Sequence, residues 1–104
     1  MKPFVEIELL QDSNPIKVKI KGEISSFTLD KVREFFSQYT EIGDDIHIDM
    51  SELNYIDSSG IGFLILVSEK LRKFNKKLKI LNPSPNLQNL FKLIHLGKIV
   101  EIVI

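Results

Sequence analysis

The chain has 104 residues, 43% of them apolar, which is enough for one compact domain with its own core and too apolar for a disordered segment. It contains no cysteine, so disulfides, thiolate nucleophiles and Cys-ligated zinc are excluded. The formal net charge is zero but unevenly spread: residues 1–52 hold 6 Lys/Arg against 11 Asp/Glu, and residues 53–104 hold 8 against 3.

Phe4 to Leu10 alternates, with Val5, Ile7 and Leu9 on one side and Glu6 and Glu8 on the other. Ile16 to Lys21 alternates in the same way, and the intervening Asp12-Ser13-Asn14-Pro15 is turn chemistry, so the two runs predict a hairpin with one buried face. Gly22-Glu23-Ile24-Ser25-Ser26 reads as a loop. Thr28 is placed to cap a helix running to about Thr40, with Leu29, Val32, Phe35, Phe36 and Tyr39 as its core stripe. Ile46, Ile48 and Met50 alternate with His47 and Asp49, a third strand. Ser51 to Gly60 reads as a connecting segment, after which a second helix runs to about Phe74.

Leu78 to Leu81 is a fourth strand. Ser84 and Pro85 open a third helix by capping and by pre-set backbone geometry, and Leu87, Leu90, Phe91 and Ile94 form its core face. Gly97 is expected to stop it, and Ile99 to Ile104 is a last strand. The order β-β-α-β-α-β-α-β predicts an α/β fold: a mostly parallel sheet with an N-terminal hairpin. The polar–apolar alternation of the early strands, which fully sandwiched strands lack, places the helices mainly on one face. The longest apolar run, Ile61 to Val67, is too short to span a bilayer, and no signal peptide is visible at Met1-Lys2-Pro3-Phe4. The expectation is a soluble, cytoplasmic protein with no membrane partner. The basic excess between Lys70 and Lys79 reads as the solvated end of a helix, where the dipole favours cations, and not as a nucleic-acid surface.

Two features converge on residues 57–62. Asp57-Ser58-Ser59-Gly60 lies between a strand and the second helix, where parallel α/β folds place their sites and where helix N–H groups favour anions. Gly60 and Gly62 thin the first helical turn so that another backbone can approach, at a helix cost of roughly 0.5–1 kcal/mol each. On spacing alone the same residues serve equally as a helix cap and a packing contact. On the helical wheel Leu64, Val67, Leu71 and Phe74 share the core face with Gly60, while Ile65 and Leu66 point largely away and suit either a neighbouring helix or a partner.

An enzyme would need a base beside Ser58 or Ser59. Only His47 and His95 are available, and Ser58-Ser59-Gly60-Ile61-Gly62 is not the Gly-x-Ser-x-Gly elbow. No His/Asp/Glu cluster has metal-ligand spacing. No catalytic residue, metal or cofactor is expected.

The run Asn54-Tyr55-Ile56-Asp57-Ser58-Ser59-Gly60-Ile61-Gly62 resembles the hallmark of STAS domains, the anti-sigma factor antagonist family. Gly22-Glu23-Ile24 resembles the family's loop after its second strand, and Ser84-Pro85 through Leu90-Phe91, Leu96-Gly97 and Lys98-Ile99 resembles its third-helix region, so the likeness covers residues 1–104 as one STAS domain. The resemblance implies a regulator without catalytic chemistry. Its unphosphorylated form binds an anti-sigma factor, often itself the serine kinase, and frees sigma. Phosphorylation of the first motif serine, Ser58 here, switches binding off, and a serine phosphatase resets it. The implied partner-binding residues are Gly22, Glu23, Ile24, Ser25, Asp57, Ser58, Ser59, Gly60, Ile61, Gly62, Ile65 and Leu66, with weak nucleotide binding near Ser25 and Ser58 left open. The chain departs from the family pattern at Ser25, where an acidic residue is usual. The alternative role is a STAS adaptor subunit of another signalling or transport complex.

Overall fold

The structure is a computed structural model and describes residues 2–104. Strands β1 (Val5–Asp12) and β2 (Ile16–Ile24) form the expected antiparallel hairpin. Helix α1 (Leu29–Ser37) follows, then β3 (Ile46–Asp49), β4 (Leu53–Ile56), α2 (Ser58–Arg72), β5 (Leu78–Leu81), α3 (Pro85–Leu93), a short 3-10 turn at Leu96–Lys98, and β6 (Glu101–Val103). The sheet order is β1-β2-β3-β5-β6, with every pairing after the hairpin parallel.

Strand β2 is the organising element. Its first half pairs with β3 from Ile16 to Lys19, and its second half pairs with β4 from Gly22 to Ile24. The chain passes from β3 to β4 through a tight turn in which Leu53 N–H donates to Met50 C=O at 3.1 Å. Strand β4 therefore prolongs the line of β3 along β2 and carries the chain out beside the end of β2.

One side-chain row of the sheet is buried: Ile16, Val18, Ile20, Ile24, Ile46, Ile48, Leu78 and Ile80. The alternate row, Lys17, Lys19, Lys21, His47, Asp49 and Lys79, is only half-buried. The helices cover the first row with Val32 and Phe36 from α1, Leu64, Val67 and Leu71 from α2, and Leu87 and Phe91 from α3. Phe36 meets Phe63 edge-on at 5.6 Å and locks α1 to α2.

The elements depart from the sequence reading in several places. Residues 53–56 are a strand, not part of a connector. Only Leu53 and Ile56 of that strand are buried, with Asn54 and Tyr55 exposed between them, so it lacks the period-two signature. Gly22, Glu23 and Ile24 extend β2 instead of forming a loop. Gly22 is buried at φ +93°, and a Cβ there would stand 2.4 Å from the Phe4 carbonyl oxygen. Helix α1 stops at Ser37 and not near Thr40. Thr28 precedes it but caps no helical N–H; its hydroxyl donates to the Glu23 carbonyl at 2.9 Å and accepts from Ser25 N–H at 3.0 Å. Phe74 lies beyond the end of α2 and is exposed instead of joining the core stripe. Ile94 is likewise exposed, because α3 ends at Leu93 and His95 turns the chain at φ 56°, before Gly97. Ser84 does cap α3, accepting Leu87 N–H at 3.3 Å.

Candidate functional site: the Asp57 cap and Ser58

The site forms where β4 ends and α2 begins, beside the end of β2. Asp57 leaves the strand in extended geometry and becomes the N-cap of α2. Its backbone N–H donates to the Ile24 carbonyl at 3.2 Å. Its two carboxylate oxygens have separate duties: Oδ1 accepts Gly60 N–H at 3.0 Å, and Oδ2 accepts Ser26 N–H at 3.0 Å. The N–H groups of Ser26, then Gly60 and Ser59, hold its carboxyl below the usual carboxylate range, against an opposing contribution from burial.

Gly60 is buried where α2 crosses the end of β2. A Cβ at Gly60 would fall 2.5 Å from the Ile24 carbonyl oxygen and 2.6 Å from Ile56 Cγ1, so glycine is a steric requirement there. Gly62 differs: a Cβ there would meet nothing within 4 Å, and the residue is exposed. Ser58, at the first helical position, is exposed, and Ser59 is half-buried.

The expected partner-binding residues divide by accessibility. Asp57, Ser58, Ser59, Ile61, Gly62, Ile65 and Leu66 retain exposed or half-exposed surface, as does Glu23. Gly22, Ile24, Ser25 and Gly60 are buried and offer no side-chain surface to a partner as they stand. Gly22 and Ile24 are strand residues, Gly60 is wedged between α2 and β2, and Ser25 is turned inward. Ile65 and Leu66 also part company. Ile65 lines a groove of about 470 Å³ between α2 and α3 with Tyr55, Ser58, Ile61, Leu90 and Ile94. Leu66 faces α1, beside Arg33, Ser37, Thr40 and Phe63.

Ser25 has an internal role. Its hydroxyl donates to the Glu23 carboxylate and accepts Phe27 N–H at 3.2 Å, a side-chain turn of the kind that Asp and Ser both make. The departure from the acidic family pattern therefore keeps the turn. Phe27, which the sequence reading did not select, stands on this turn with its ring exposed. A single apolar residue in a polar loop gives no periodic signal, so only the turn geometry reveals it.

Neither histidine reaches the serines. His47 sits on the helix-free face of the sheet between Lys17 and Lys79 in the strand register, and His95 follows α3. Among the described residues no group of three His, Asp or Glu is placed to hold a metal ion, and no helix is long and apolar enough to cross a membrane.

A mostly parallel α/β sheet edged by an antiparallel hairpin, with helices on one face and an exposed serine opening the helix after a short strand, defines a small single-domain α/β class. The STAS domain family model matches residues 6–103, and the chain belongs to that family. It is 31% identical over 98 residues to an anti-sigma-B factor antagonist of Bacillus subtilis, covering 94% of this chain and 90% of that protein. The fold matches an anti-sigma factor antagonist from Mycobacterium paratuberculosis with a TM-score of 0.85 at 19% identity, over 96% of this chain and 86% of the other. It also matches the anti-sigma factor antagonist SpoIIAA at 22% identity. The TM-score is 0.76 against the unphosphorylated form, over 95% of this chain and 87% of that one, and 0.69 against the phosphorylated form, over 95% and 90%.

Proposed function

We propose that this chain is an anti-sigma factor antagonist switched by phosphorylation of Ser58. The observation that carries the reading is the exposure of Ser58 at the start of a helix whose cap, Asp57, is already fully engaged by Gly60 and Ser26. Unphosphorylated, the surface around Ser58, Gly62 and the adjoining half-exposed residues of α2 docks an anti-sigma factor that is also a serine kinase, and sigma is released. Transfer of the γ-phosphoryl group of ATP to Ser58 Oγ, which breaks its bond to the β-phosphate, releases ADP and removes the hydroxyl proton, adds about −1.5 to −2 charges. That dianion stands next to the Asp57 carboxylate in the middle of the docking surface. Repulsion and the cost of desolvating it oppose binding. Within the free protein the helix N-terminus favours the phosphate, so blocking needs no refolding.

The same reading makes the protein a cytoplasmic regulator with no chemistry of its own, reset by a serine phosphatase. The family assignment and the name of the B. subtilis relative support it. The test is binding to the anti-sigma factor of the same organism, with and without ATP. Wild type is expected to bind and then be released as one phosphate appears on Ser58. Ser58→Ala should stay bound in ATP, and Ser58→Asp should bind weakly throughout. Equal responses of all three to ATP would overturn the switch.

A further inference from the structure

We propose that Phe27 is the aromatic anchor of the docking surface, inserting into an apolar pocket of the anti-sigma factor beside Ser58; this rests on the function proposed above. Among the described residues Phe27 is the most exposed large apolar side chain, at 81%. A single apolar side chain on a protein surface is ordinary and by itself needs no explanation. Here the turn that carries it is closed by hydrogen bonds on every side. Thr28 N–H donates to the Ser25 carbonyl at 3.0 Å, and Phe27 N–H to Ser25 Oγ. Ser25 N–H donates to Thr28 Oγ1, and that hydroxyl in turn donates to the Glu23 carbonyl. The fold thus fixes the backbone that carries the ring, so that binding has to order only the ring's own side-chain torsions and not the loop.

The mount is tied to the switch. Ser26, the neighbour of Phe27, donates its N–H to Asp57 Oδ2, while Asp57 Oδ1 caps the helix that Ser58 opens. One carboxylate therefore sets the Phe27 turn and the Ser58 helix in fixed relation. Asp57 is a positioning residue in this arrangement: the exposed residues Phe27 and Ser58 each adjoin a residue of the Ser26–Asp57 bond that joins their two turns. Large aromatic side chains presented in this way are the usual centres of binding energy at protein interfaces.

The experiment measures affinity for the purified anti-sigma factor of the same organism in ADP, which lacks the phosphoryl group to transfer, so that Ser58 stays unmodified. Phe27→Ala is expected to weaken binding roughly 30-fold or more. Phe27→Leu, which keeps apolar bulk, should lose clearly less. Leu93→Ala removes a side chain that is 78% exposed at the end of α3 and has no tie to the Asp57 cap, and should bind as wild type. All three should melt with wild type, since none of the side chains is buried. Phe27→Ala binding within about threefold of wild type, with Ser58→Asp still released, overturns the anchor and leaves the switch standing. Loss of binding by Phe27→Ala with no effect of Ser58→Asp sustains the anchor and overturns the switch. An equal loss in Leu93→Ala overturns the anchor, since the effect would then be general apolar adhesion, and failure of wild type to bind overturns both.

Discussion

Asp57 Oδ2 accepts the backbone N–H of Ser26 at 3.0 Å, joining two turns that lie 31 positions apart in the chain. With Oδ1 on Gly60 N–H, the side chain closes a helix and fastens that helix to the turn after β2. Both bonds favour the ionised carboxylate, which lowers its proton affinity in the folded state relative to the unfolded one. The unfolded chain therefore binds the proton more readily. The stability from Asp57 is fully present above the unfolded carboxyl range, near pH 4, and is lost as pH falls through the lower folded value. Melting temperature against pH for wild type and Asp57→Asn should show the two curves converging below about pH 4. An Asp57→Ala change should cost about 1 kcal/mol at neutral pH, the ordinary loss for a removed cap. A pH-independent gap between wild type and Asp57→Asn would show that ionisation contributes nothing.

The two glycines of the motif should respond in opposite directions to alanine. At Gly60 the added methyl would stand 2.5 Å from the Ile24 carbonyl oxygen and 2.6 Å from Ile56 Cγ1, well inside van der Waals contact, so α2 must shift away from β2. Gly60→Ala should destabilise by roughly 1–3 kcal/mol, the usual range for overpacking. At Gly62 the methyl meets open solvent, and Gly62→Ala should stabilise by roughly 0.5–1 kcal/mol through helix propensity. Denaturant midpoints decide this, and a loss of stability in Gly62→Ala would contradict the open geometry. If Gly62 is part of the docking surface, the more stable variant should also bind the anti-sigma factor less tightly.

The contrast between these two glycines also shows what the sequence could and could not convey. The hairpin, β3 and β5 carry strong periodic signals and lie where those signals put them; α3 opens at its Ser84-Pro85 cap but ends at Leu93, short of Gly97, and α2 opens at Ser58, inside the segment that reads as a connector. Strand β4 carries no such signal, because its four residues bury only the first and last, and it is held by pairing to Gly22–Ile24 of β2. Without β4 the second half of β2 looks like a loop, which is why Ile24 and Ser25 pass for surface. Asp57-Ser58-Ser59-Gly60 was legible as a helix start. The second hydrogen bond of Asp57, which ties the Phe27 turn to the α2 cap, depends on a contact between distant segments that no local pattern encodes.

His47 gives a second pH-dependent contribution, on the far face of the sheet. Burial, then the cations of Lys79 and Lys17, push its imidazole below the ordinary value near 6.5, against Asp45 and Glu101, which pull the other way. The protonated ring is therefore disfavoured in the folded state and free to form in the unfolded one. Stability is complete above about pH 6.5 and declines as pH falls from there towards the lower folded value. A proton NMR titration should place His47 below 6.5, and His47→Gln should flatten the decline of stability as pH falls below about 6.5. An unchanged slope in that variant would assign the decline to other groups.

Phosphorylation of Ser58 should leave the fold intact while it abolishes docking. A phosphate at the first position of α2 faces N–H groups at the positive end of the helix, a placement that stabilises anions by about 0.3–1 kcal/mol when exposed. The neighbouring Asp57 carboxylate opposes this, but it is already satisfied by the N–H groups of Gly60 and Ser26 and has no need to move. The net expectation is a melting temperature of the phosphorylated protein equal to or slightly above that of the unmodified one. Amide exchange at Gly60 and Ser26 should be equally protected in both forms. Faster exchange at these two amides on phosphorylation would instead mean that the phosphate breaks the Asp57 cap, and that the switch works by loosening the turn that carries Phe27.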